Sequence, residues 1–214
     1  MKKITTVIFD LDGTLLDTLA DIAACANHTL KQLGQPTYPV EAYNQLAGQG
    51  IHYLFQHALP QDQQHLVPRA IEIQATYQLR HGTDKATLFP GVMPLLQKLQ
   101  KRYTLAVLSN KPHLATLAAV KDKISNIVFG AVLGQSEKIP PKPDPIGAHF
   151  LCEKLKIVPS QVAYLGDTPA DMQTATSVGF LPIGVTWGFR SEAQLRQHGA
   201  KHIISSPEQL LMII

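Results

Sequence analysis

Two cysteines, Cys25 and Cys152, are all the chain has. They lie far apart without a CxxC partner, which argues against a disulfide framework and against a cysteine zinc site. Clustered lysine and arginine are missing too, and the formal net charge is only +3. A dedicated nucleic-acid binder would ordinarily show a basic stripe, so none is expected as partner. No stretch approaches about 18 apolar residues, so neither a transmembrane helix nor a membrane partner is expected. Internal repeats and low-complexity segments are absent. His52, His57, His113 and His198 are scattered, with no metal-ligand spacing. The opening MKKITTVIFD has two lysines like a signal peptide, but Asp10 and Asp12 interrupt its apolar run, so no leader is expected. These absences leave a soluble, cytoplasmic protein as the expectation.

What is present is ordinary for a globular chain: 45% hydrophobic and 16% charged residues. The 214 residues suffice for one sizeable core, or a core with a smaller partner domain. From about residue 88 onward, apolar runs alternate with helical spacings. GVMPLLQKL puts Val92, Leu95, Leu96 and Leu99 on one helical face. Strands are expected at 104–109, 126–133, 162–166, 181–185 and 202–205, with helical segments between them. Such alternation implies a doubly wound α/β fold with a parallel sheet covered on both faces. Its strands are apolar throughout rather than alternating, which accounts for Val7-Ile8-Phe9.

Residues 17–84 differ. Leu19, Ile22, Ala23, Ala26, Leu30 and Leu33 follow helical spacing, and Gly34 and Pro36 make a stop. Further helices are expected at 51–59 and 63–80, and no strand. The expected organisation is an α/β core of residues 1–16 and 85–214, with an all-helical insertion at 17–84.

Two carboxylates, Asp10 and Asp12, stand at the end of the first apolar run. A second pair, Asp167 and Asp171, follows the strand expected at 162–166. In doubly wound sheets ligands bind at the carboxyl ends of strands. Four acids gathered there repel one another unless they hold a hard cation, and Mg²⁺ suits a site of carboxylates, phosphate and water. Ser109 and Asn110 end another expected strand. Lys142 sits in the proline-rich loop IPPKPDP, where prolines restrict the backbone and pre-position its side chain. A phosphate calls for these groups: a hydroxyl or amide, a fixed cation and a metal.

DLDGT at 10–14, SN at 109–110, Lys142 in KPDP and GDTPAD at 166–171 resemble the four motifs of the haloacid dehalogenase-like (HAD) hydrolases, in order and over essentially the whole chain. The helical insertion resembles that superfamily's mobile cap. SNKP, KPDP and the late WGFRSEAQLRQHGAKHIISSPEQL look most like its phosphoglycolate phosphatase group. The resemblance implies a Mg²⁺-dependent phosphatase acting on a small phosphorylated metabolite, most simply 2-phosphoglycolate; a monomer or homodimer is expected. It implies Asp10 as nucleophile and Asp12 as general acid and base. Mg²⁺ would be held by Asp10, the Asp12 carbonyl and Asp167, with Asp171 orienting metal waters or ligating directly. Ser109, Asn110 and Lys142 would bind the phosphoryl group. A phosphomutase, or a phosphatase for a sugar phosphate or nucleotide, carries the same motifs; a phospho-receiver domain shares only the strand-tip aspartate and the metal.

Gly48, Gln49 and Gly50 precede a helical-looking IHYLFQHAL. They form a candidate loop for the non-phosphate end of the substrate, with the helix N-terminus as an anion site. Trp187 is expected to pack near the sheet end. Lys111 and Arg190 are expected as solvated charges on the rim.

Overall fold

The computed structural model describes residues 3–214; Met1 and Lys2, the start of the opening segment, lie outside them. The run Thr6–Phe9 forms β1 and is buried on both faces. Val7 and Phe9 enter one hydrophobic cluster and Ile8 another, because successive side chains of a strand point to opposite faces. The chain turns at Gly13, whose φ of 84° suits a residue without Cβ, into the short β2 (Leu16–Asp17).

Helices α1 (Leu19–Gln32), α2 (Ile51–Ala58) and α3 (Val67–His81) follow, with 3₁₀ turns at Val40–Gln45 and Gln61–Leu66. β3 (Thr87–Leu88) then pairs antiparallel with β2. The remainder runs α4 (Val92–Leu99), β4 (Thr104–Pro112), α5 (His113–Lys123), β5 (Ala131–Gln135), α6 (Ile146–Leu155), β6 (Val162–Gly166), α7 (Pro169–Val178), β7 (Leu181–Val185), α8 (Glu192–Gln197) and β8 (His202–Ile204).

Six strands make a parallel sheet in the order β5-β4-β1-β6-β7-β8. β1 is central, with Phe9 opposite Val107 on one side and Leu165 on the other. The chain steps from β1 outward to β4 and β5, then returns across β1 to β6. The carboxyl ends of β4, β1 and β6 therefore meet at the reversal of strand order, where doubly wound sheets bind ligands.

The helical segment has its own apolar cluster. Ile22, Ala23, Ala26 and Leu30 of α1 pack with Tyr43 and Phe55, and Phe189 joins them from the loop after β7. Each large side chain buried there contributes about 1.5–3 kcal/mol.

Four local features depart from the sequence pattern. The strand expected at 126–133 begins at Ala131, because Ile127 is a core plug in a turn closed by its amide on the Ile124 carbonyl at 3.2 Å. The helix expected at 63–80 is split at Val67, with Pro68 in the first turn of α3, where a missing N–H costs nothing. The β2–β3 pair and the 3₁₀ turn at Val40–Gln45 carry too few residues for a periodic signal.

Candidate active site

Three adjacent strands deliver the acids and their partners. Asp10 follows β1, Ser109 lies in β4, and Asp167 follows β6. The Asp10 amide donates to the Leu165 carbonyl at 2.8 Å, continuing the β1–β6 ladder to the site's edge. Asp171 sits in the first turn of α7, inside a capping box in which Thr168 and Asp171 exchange side-chain and backbone bonds. An oxygen from each of Asp10, Asp167 and Asp171 lies within 4.8 Å of the others, all three buried.

Lys142 is the buried cation among them. Its Nζ lies 3.0 Å from Asp10 Oδ1 and donates to Asp171 Oδ1 at 2.6 Å and to the Leu108 carbonyl at 3.0 Å. Asn110 brackets the Lys142 backbone: its Oδ1 accepts from the Lys142 amide at 2.6 Å, and its Nδ2 donates to the Lys142 carbonyl at 3.1 Å. Nδ2 also donates to the Gly48 carbonyl at 3.0 Å. The Asn110 side chain is thus spent on positioning, with no donor left for a phosphate.

Burial pushes the Asp10 carboxyl up to about 7, with Asp171 and Asp12 adding to the rise and Lys142 opposing it. Burial likewise holds Asp167 well above the carboxylate range, reinforced by Asp10 and Asp171. For Lys142, burial opposes the charge, yet Asp10 and Asp171 outweigh it and raise its pKa.

The carboxylates differ in what they have left to offer. Asp171 is saturated: Oδ1 accepts from Lys142 and from the Tyr164 hydroxyl (3.0 Å), Oδ2 from the Thr168 amide (2.9 Å) and hydroxyl (2.6 Å). Asp167 accepts one bond on each oxygen, from the Thr14 hydroxyl at 2.9 Å and the Phe189 amide at 2.8 Å. Asp10 Oδ1 takes the Leu11 amide at 2.7 Å besides Lys142. Counted ionised, the carboxylates of Asp10, Asp12, Asp167 and Asp171 face two buried ammonium groups, Lys142 and Lys111. The deficit of two charges and the oxygen-only donor set fit one hard divalent cation.

A cavity opens beside Asp10, Asp12 and Ser109. Gly48, Gly50 and Ile51 line it from the helical segment. Gly50 is the residue before α2, at φ 88° and ψ 161°, a region open essentially to glycine alone. Gln49 is turned aside: it lies in a neighbouring surface groove, its amide reaching the Gln45 carbonyl at 3.4 Å.

The chain matches the haloacid dehalogenase-like hydrolase family over residues 7–185. It belongs to that family. The phosphoglycolate phosphatase of Vibrio parahaemolyticus is 27% identical to it, over 100% of this chain and 97% of that protein. The phosphoglycolate phosphatase of Pseudomonas putida is 30% identical, over 96% of this chain and 78% of that one. A solved structure from Lactobacillus delbrueckii subsp. bulgaricus shares 30% identity and a TM-score of 0.87, over 99% of this chain and 98% of that chain.

Two charges of this hydrolase are not where a solvated rim would put them. Lys111 is 6% exposed and donates to Asp12 Oδ1 at 3.1 Å and Oδ2 at 3.2 Å. Arg190 is 5% exposed and clasps the 44–47 loop, donating to the carbonyls of Asn44, Gln45 (2.9 Å) and Ala47 (3.1 Å). Both are buried because each finds oxygen partners that repay its desolvation. Trp187 packs against the main core as expected, its Nε1 donating to the Thr14 carbonyl at 3.0 Å. Tyr164 was hidden in an apolar strand run, yet its hydroxyl lies 3.0 Å from Lys142 Nζ. No helical segment among the described residues is long and apolar enough to cross a membrane.

Proposed function

We propose that this hydrolase is a Mg²⁺-dependent phosphatase that cleaves a small phosphomonoester, 2-phosphoglycolate, through an aspartyl-phosphate on Asp10. The observation that carries the reading is the buried Asp10–Lys142–Asp171 cluster at the sheet's switch point, with Asp12 two residues from Asp10. The name shared by the Vibrio and Pseudomonas relatives supports the substrate.

The Asp10 and Asp167 side chains and the Asp12 backbone carbonyl would hold Mg²⁺; Asp171, with its lone pairs engaged, serves instead to fix Lys142. When bound, Mg²⁺ supplies a Lewis acid that offsets charge on the phosphoryl group. Ser109 binds a phosphoryl oxygen, and Lys142, its three donors held by Asp10, Asp171 and the Leu108 carbonyl, supplies a fixed positive charge beside the phosphoryl group. The Asp10 carboxylate attacks phosphorus while the bond from phosphorus to the ester oxygen breaks. Asp12, oriented by Lys111, takes up a proton before this step and, as the carboxylic acid, gives it to that departing oxygen, so glycolate leaves as the alcohol. Water then attacks the phosphorus of the aspartyl-phosphate, Asp12 takes its proton, and inorganic phosphate leaves with Asp10 restored. The helical segment acts as a cap over this chemistry, with Asn110 and Arg190 holding its 44–50 loop against the core and excluding bulk water.

Phosphate release from 2-phosphoglycolate and from an aryl phosphate tests the reading. Activity is expected to vanish in chelator and return with Mg²⁺. Full activity in chelator contradicts the metal assignment. Dependence on a sugar bisphosphate activator would indicate a phosphomutase instead.

A further inference from the structure

The cavity holds two polar side chains that this mechanism leaves unused. Gln74 and Gln78 lie one turn apart on α3 and both line it. Gln74 is 2% exposed, with the Thr29 hydroxyl 3.1 Å from its Oε1. Gln78 is 7% exposed, and its Oε1 is buried with no hydrogen-bond partner among the described residues. A buried amide left unpaired costs about 1–3 kcal/mol, so its presence at a cavity wall calls for a ligand.

The surrounding wall indicates which ligand. Apart from Asp10 and Asp12, no acidic side chain lines the cavity. Lys111 lines it, as do Gly50 and Ile51 at the amino end of α2. The first amides of a helix lack intrahelical acceptors and carry the positive end of its dipole. A glutamine amide, turned over, presents either its carbonyl or two N–H donors. An ammonium, a helix amino end and two amides make a donor-rich wall, suited to an anion carried on the part of the substrate remote from phosphorus.

We propose that Gln78, supported by Gln74 and Lys111, is the specificity-determining residue that recognises a carboxylate on the leaving group, so that the enzyme prefers short phosphorylated hydroxy acids to neutral phosphomonoesters. This rests on the phosphatase reading above and assigns recognition to the α3 wall rather than to the glycine loop alone.

The test compares kcat/KM for 2-phosphoglycolate and for ethyl phosphate, which has the same two carbons and no carboxylate. The wild-type enzyme is expected to favour the former. Gln78→Leu keeps the size and removes both hydrogen-bonding ends, and it should lower the ratio of the two values about ten- to hundredfold. Gln78→Glu sets a carboxylate against a carboxylate and should lower it further. The Gln78→Leu melting temperature should equal or exceed wild type, because an unpaired acceptor is removed; a merely structural glutamine would show a fall. A wild-type ratio near one overturns carboxylate recognition and leaves the phosphatase reading standing. A high ratio that survives in both variants overturns the role of Gln78 and means that water satisfies its amide. If the wild-type enzyme with Mg²⁺ cleaves neither ester nor an aryl phosphate, both readings fall.

Discussion

Arg190 joins the loop after β7 to the loop before α2, so removing it tests whether the helical segment, as the proposed cap, is held shut from the core. Its guanidinium serves three carbonyls of residues 44, 45 and 47, and the Phe189 carbonyl at 3.3 Å besides. A hydrogen bond from a charged donor contributes about 1.5–3 kcal/mol. The three to the loop do not add fully, and the variant is spared the cost of burying the guanidinium. Arg190→Met should therefore cost about 2–4 kcal/mol. In a domain of this size each kcal/mol moves the melting temperature by about 2–4 °C, so a fall of about 4–16 °C is expected. Arg190→Lys keeps the charge but not the planar fork, and should lose about half as much. With closure weakened, KM for 2-phosphoglycolate should rise more than kcat falls, because only the closed fraction binds productively. Thermal melts and steady-state kinetics on both variants decide it. A wild-type melting temperature and KM for Arg190→Met would refute the clasp.

Tyr164→Phe removes the hydroxyl shared by Lys142 and Asp171. Because Lys142 keeps Asp10, Asp171 and the Leu108 carbonyl, it should cost about 1–2 kcal/mol in denaturant melts and lower kcat/KM by less than about tenfold, a loss worth 1.4 kcal/mol. Asp12→Asn should reduce turnover by about 10²–10⁴-fold, the usual contribution of general acid–base catalysis. With a good aryl leaving group it should still form the phospho-enzyme and hydrolyse it slowly, which rapid-quench labelling reports. Gly50→Ala should lower stability by about 1–3 kcal/mol, since its backbone conformation excludes a Cβ and the added atom would sit 3.0 Å from Gln135 Oε1. An unchanged melting temperature would contradict it.

The sheet was legible in the sequence because parallel strands buried on both faces are continuous apolar runs, as Val7-Ile8-Phe9 and the 162–166 run are. The acids were legible because each pair stands directly at the end of such a run. α1 was legible from its spacing, and its apolar stripe enters the helical segment's core. Lys111 and Arg190 were not, because burial of a charge depends on acceptors from remote elements: Asp12 across 99 positions, and loop carbonyls across 143 to 146. The motif points to Asn110 as a phosphate donor, while its three hydrogen bonds to Lys142 and Gly48 exist only once the proline loop and the 46–50 loop meet it. Gln74 and Gln78 read as ordinary polar positions of a helix. Only the packing of α3 over the sheet end turns them into a cavity wall.

The most direct test of the central claim is phosphoryl labelling of Asp10. The Mg²⁺-loaded enzyme, mixed with 2-phosphoglycolate and quenched in acid within one turnover, should carry one phosphoryl group on the peptide containing Asp10. Asp10→Asn should carry none and release no phosphate. Labelling of Asp10→Asn equal to wild type, or wild-type turnover by that variant, would contradict the assignment of Asp10 as the nucleophile.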